Sequence, residues 1–194
     1  MKTQYYENLK KLALLLIGVL FFSLNSAVLA DDEEEGVQKI PDKLKYYKEK
    51  YEIQFDSDFQ TVFDACKKFI ENNLSCQILN SKVRDQDDGT HRGIVRSELC
   101  IFSQNESEIF KTIQKYALDA PFIRGGVWTS GRMQYTFIVT EIGDNKINLE
   151  LRGEMSGFEN HVSFKAYFFK SNGLLEQEAF DAITELVNNP SKSE

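Results

Sequence analysis

Residues 133–151 constrain the fold more than any other stretch. Met133, Tyr135, Phe137 and Val139 alternate with Gln134, Thr136, Ile138 and Thr140. Beyond Gly143-Asp144-Asn145, Ile147, Leu149 and Leu151 alternate with Asn148, Glu150 and Arg152. A period of two sends successive side chains to opposite faces of a pleated strand. Two such runs around Gly-Asp-Asn read as an antiparallel hairpin with one buried and one wet face. The apolar face of such a hairpin must be covered.

Helical periodicity supplies the cover. Phe59, Val62, Phe63, Cys66 and Ile70 recur on one helical face. Ser57 with Gln60 predicts a capping box at the start, and Asn72-Asn73 an end. A second box, Asn105 with Glu108, predicts a helix through Ile109, Phe110, Ile113 and Tyr116. The last helix opens at Asn172 or Gly173, with Leu175, Ala179, Ile183 and Leu186 inward. Tyr51 to Phe55 reads as a strand, and Val162 to Phe169 as a further one. The expected fold class is α+β. It is a single domain with an antiparallel sheet of about five or six strands, helices on one face and a long C-terminal helix.

A second hairpin is expected from residues 75–84 and 91–102 around Asp87-Asp88-Gly89. A three-residue loop takes a left-handed residue in third place, and Gly89 supplies it. That loop pairs Gln86 with Thr90. It puts Leu79, Val83, Val95, Leu99 and Ile101 on one face, with Arg96 and Glu98 on the other. The same register sets Cys76 opposite Cys100, close to disulfide reach. The rivals are a Cys66–Cys76 bond and three free thiols.

The first thirty residues read as an export signal. Lys2, Lys10 and Lys11 precede an uncharged apolar run, residues 12–24, and Val28 and Ala30 are small residues placed for a signal peptidase. Cleavage is expected between Ala30 and Asp31, and the alternative is an uncleaved anchor. The organisation is then 1–30 signal peptide, 31–50 acidic and charged segment, 51–188 α+β domain, and 189–194 tail. The destination is periplasmic or secreted, with no stable membrane span once the leader is removed.

Composition narrows function by exclusion. The chain of 194 residues has net charge −7, against nucleic-acid binding by bulk electrostatics. His91 and His161 sit in no metal or nucleophile motif, and no phosphate loop or nucleophile elbow occurs. Asp85, Asp87, Asp88 and Gly89 lack calcium-loop spacing and read as a turn. No catalytic residue, metal or cofactor is expected. The irregular segment 118–131 is the candidate contact surface. Phe122 and Trp128 offer apolar area there, and Arg124 and Arg132 offer charge.

Three stretches carry a family resemblance: Gly157-Phe-Glu-Asn160, Lys170-Ser-Asn-Gly-Leu-Leu-Glu176, and Phe59-x-x-Val62-Phe63-x-Ala65. Across roughly residues 51–187 the chain resembles small Gram-negative periplasmic and envelope proteins with a helix-grip fold, lipoprotein-like and uncharacterised. It is more distantly similar to the C component of the outer-membrane barrel-assembly machinery. The resemblance implies a non-enzymatic accessory or scaffold role. The lipobox cysteine of such lipoproteins is missing, so a lipid tether is not implied. Two functions follow as expectations: contact with an envelope protein partner, or binding of a small apolar ligand between sheet and helix.

Overall fold

A computed structural model describes residues 48–74, 76–104 and 108–189, all within one unit, Ile40–Glu194. The leader, its cleavage point at Ala30 and Asp31, and the Asn105 cap lie outside the described residues.

The alternating run at 133–151 is the centre of the sheet. It forms β4 (Trp128–Gly143) and β5 (Lys146–Glu159), joined through Asp144 and Asn145. Asn145 sits at φ 51°, in the left-handed region that Asn tolerates. Around this pair stand β1 (Tyr51–Asp56), β2 (Ile78–Asp85), β3 (His91–Gln104) and β6 (Lys165–Phe169). The order is β1-β5-β4-β3-β2, all antiparallel, and β6 pairs with the far half of β5.

Three helices cover one face: α1 (Phe59–Lys68, continued by a wider π turn, Phe69–Asn73), α2 (Ile109–Tyr116) and α3 (Leu174–Asn188). Val62, Cys66 and Ile70 from α1 and its π turn meet Phe137, Val139, Leu149 and Leu151 in a fully buried layer that Ile183 of α3 completes. Phe69 stands edge-on to Tyr135 and Phe137. Burying each large apolar side chain is worth about 1.5–3 kcal/mol, so this layer is the main source of stability.

The start of α1 differs from expectation. Asp58 is the cap, accepting from the Thr61 amide at 2.9 Å and from its hydroxyl at 2.6 Å. Gln60 turns to Asp64 instead of closing a box on Ser57. A carboxylate offers two charged acceptors where serine offers one neutral hydroxyl.

The β2–β3 hairpin begins as expected. Gln86 donates its amide to the Thr90 carbonyl at 2.8 Å, Gly89 has φ +81°, and Asp85 faces His91. Asp88 accepts from the amide and hydroxyl of Thr90, which is turn chemistry. The register then slips by one residue at Leu79, and β3 bulges against β4 between Arg96 and Leu99. Before the bulge Val95 and Ser97 face the helices; after it Cys100 does. Leu99 and Ile101 are thereby carried to the open face, 44% and 48% exposed, contrary to the face assigned from alternation. Ser97 steadies the bulge, its hydroxyl accepting from the Tyr135 amide at 2.9 Å. Leu79 and Val83 are exposed because β2 is the sheet edge.

The disulfide joins Cys76 and Cys100, with Cα atoms 5.5 Å apart, and Cys66 is a buried free thiol. Cys76 precedes the first paired residue of β2 and donates its amide to Ile70 at the end of α1, so the two cysteines are not opposed on the ladder as the register expected; the slip at Leu79 intervenes and the bond forms outside the β2–β3 pairing.

Candidate functional site at the loop end of the sheet

The segment expected to be irregular as far as residue 131 enters β4 already at Trp128, and β6 begins at Lys165 rather than Val162. The loop before Trp128 and the turn before β6 meet at one end of the sheet, and Glu159 joins them.

Glu159 is the last residue of β5 and has no exposed surface. Counting every second residue from Leu151 brings it to the helix-facing side. Its carboxylate accepts from the amides of Val127 (3.0 Å), His161 (2.7 Å), Val162 (2.9 Å) and Ser163 (2.6 Å), and from the Ser163 hydroxyl (2.6 Å). The Asn160 amide donates to the Val127 carbonyl at 2.8 Å. Burial acts to raise the Glu159 pKa. The Ser163 hydroxyl and the converging amides outweigh it and hold the group far below the usual carboxylate range.

This clasp presents apolar side chains to solvent. Val127 is 52% exposed, Val162 54% and Phe164 65%, while Phe122 at the neighbouring tip is 81% exposed. Phe164 holds φ 52°, a conformation that costs a non-glycine residue of order 1–3 kcal/mol and persists only when its surroundings impose it. Gly125, at φ +75°, makes the turn that returns the Phe122 loop, closed by the Gly126 amide on the Ile123 carbonyl at 2.9 Å.

The four contact residues expected from sequence do not share one surface. Trp128 is packed between Phe110 (5.6 Å), Tyr167 (5.5 Å) and Phe169 (5.7 Å), ring to ring, so it supports the loop instead of presenting itself. Phe122 sits over Phe110 at 6.4 Å and Arg124 is exposed, both in the loop. Arg132 lies on the opposite, open face of the sheet, opposite Ile101 and Ser156, with its Nε donating to Ser130. Sequence reading missed Glu159, Val162 and Phe164. The signal was an acidic residue in the inward phase of a strand.

The remaining titratable clusters are self-contained. His91 Nδ1 lies 2.8 Å from Glu141, which also accepts the His91 amide, and Nε2 lies 3.5 Å from Asp85. The Glu141 contact holds the imidazole pKa above its ordinary value. Glu176, buried in the first turn of α3, accepts from the Ser171 hydroxyl at 2.7 Å, and burial pushes its carboxyl up. Cys66 is likewise raised by burial, which leaves its thiol unreactive.

No protein-family model matches the chain, and no curated protein matches it. Among solved structures, it is similar to a DUF4468 family protein from Bacteroides ovatus at 16% identity and a TM-score of 0.26. The likeness covers 68% of this chain and 66% of that one, just under two thirds of the neighbour's length. A TM-score this low transfers neither fold nor activity. The likeness to the barrel-assembly C component finds no support in these comparisons.

Proposed function

We propose that the chain is an exported, non-enzymatic bacterial envelope protein that works through protein contacts, with the loop end of the sheet as its contact surface. One observation carries this reading: Glu159 clasps two loops so that Val127, Val162 and Phe164 stand more than half exposed on a fixed framework. Single exposed apolar residues are ordinary, but a group of them held by a buried carboxylate is what a contact surface requires. The disulfide suits an oxidising compartment, and among the described residues no helix is long and apolar enough to cross a membrane. The resemblance to envelope proteins points the same way.

The alternative, a ligand held between sheet and helices, is favoured less. That space is filled where three glycines face it. A Cβ at Gly153 would collide with Met133, one at Gly131 would come within 2.6 Å of Phe102, and one at Gly157 within 3.0 Å of Ile113 and Trp128.

In-cell crosslinking of wild type against a Phe122→Ser, Val162→Ser, Phe164→Ser variant tests the surface. Crosslinked species should vanish while the melting temperature stays close to wild type, because all three side chains are exposed. Unchanged crosslinking would remove the proposal. Intact mass of the exported protein should place its N-terminus at Asp31, whereas a full-length chain resisting carbonate extraction would make the leader an anchor.

A further inference from the structure

Charges on the open face of the sheet are unevenly matched. Elsewhere on this face cations meet acceptors: Lys50 lies 2.9 Å from Glu52, Arg152 2.6 Å from Glu150, and Arg96, further along β3, 2.6 Å from the Gln134 carbonyl oxygen. On β2 and β3 the ladder sets Arg84 directly opposite Arg92, with Lys82 opposite Ile94. The neighbouring strand offers only Thr140 and Ile138 at these positions. One strand further, Glu150 is already engaged by Arg152 and Lys50. Asp85 and Glu141 both turn to His91, on the other side of the sheet.

Like charges directly opposed on a ladder are unfavourable. Cations on an edge strand guard against edge-to-edge pairing, which accounts for Lys82 and Arg84. It does not account for Arg92, because β3 is paired on both sides. An open cleft of about 300 Å³ lies among Asn80, Lys82, Arg84, Arg92 and Ile94. That volume is at the small end of ligand sites, which run from about 300 to 1,000 Å³. The cluster also runs against the charge of the whole chain, −7.

We propose that this cleft binds a small polyvalent oxyanion, a phosphate or carboxylate compound. Arg84 and Arg92 clamp the anionic group with their planar forks, which match such oxygens in pairs. Lys82 adds a point charge, the Asn80 amide donates a hydrogen bond, and Ile94 floors the cleft against an apolar stem. The site is on β2 and β3 and does not depend on the loop-end reading.

Thermal unfolding of the full chain with pyrophosphate, with citrate, and with sodium chloride at matched ionic strength tests the inference. A ligand that binds only the folded state raises the melting temperature with its concentration. Pyrophosphate or citrate should raise it and chloride should not. The responding compound distinguishes phosphate from carboxylate recognition. Arg84→Gln with Arg92→Gln should weaken apparent affinity at least about tenfold, while Lys165→Gln leaves it unchanged. Without anion, the double variant should melt no lower than wild type, since a repulsion is relieved. An equal rise with chloride, or a rise retained in the double variant, would overturn the site.

Discussion

Two of the hairpins, β4–β5 and β2–β3, are stabilised in different ways. In β4–β5 the inward residues Phe137, Val139, Ile147, Leu149 and Leu151 are fully buried in the core, and alternation alone assigns their faces correctly. In β2–β3, β2 packs against the core only at its start, Ile78, both strands slip register, and four of the five residues expected inward are exposed: Leu79, Val83, Leu99 and Ile101. Burial specifies a register because a one-residue slip would move the whole apolar set into water. Where one strand is an uncovered edge that penalty is small, and bulges are tolerated. A covalent bond, Cys76–Cys100, anchors what burial does not.

The comparison predicts a ranking of effects. Leu149→Ala, at a fully buried position of β5, should cost about 2–5 kcal/mol in chemical denaturation, as core truncations do. A loss below about 1 kcal/mol would mean that the central hairpin is not held by its core. Cys76→Ser with Cys100→Ser opens a link between residues 24 apart and should cost about 3 kcal/mol. Hydrogen exchange should localise the loosening to β2 and its junction with α1. Uniform loosening of β4–β5 would break the distinction between the hairpins.

A smaller effect sharpens the picture of the covered side. Burial raises the Glu176 carboxyl above its ordinary 4.5, and the Ser171 hydroxyl offsets this only in part. The folded protein therefore holds that proton more tightly than the unfolded chain. Stability should fall as pH rises above the unfolded value, until the folded pKa is passed. Glu176→Gln should remove this dependence, so that its stability relative to wild type improves from pH 4.5 upward. A constant difference across that range would refute the assignment. The smallest effect is expected at Leu99→Ser on the open face, within about 0.5 kcal/mol of wild type. A loss comparable to that of Leu149→Ala would show that Leu99 is covered in solution.

The candidate surface was half legible. Phe122 and Arg124 are where a glycine-rich loop with apolar and basic residues was expected to put them. Trp128 belongs to the core because β4 bulges between Trp128 and Ser130, which turns the indole toward Phe110 and Phe169. The same kind of insertion moved Leu99 and Ile101 outward. A bulge adds one residue to one strand and leaves the local pattern of apolar residues unchanged, so periodicity does not reveal it.

The Cys76–Cys100 bond forms although the ladder register that favoured it slips at Leu79. The α+β class, the central hairpin with its faces, the helical stripe from Phe59 to Ile70 and the Gly89 turn are legible in the amino-acid order alone. These follow from local periodicity and turn chemistry, in which a residue's neighbours in sequence are its neighbours in space. Strand pairing in three dimensions sets where registers slip, gathers donors from Val127 and Ser163 on Glu159, and brings Arg84 and Arg92 face to face beside a cleft. Each of these depends on residues brought together by strand pairing and turn geometry, and that convergence is not encoded in any single periodic segment.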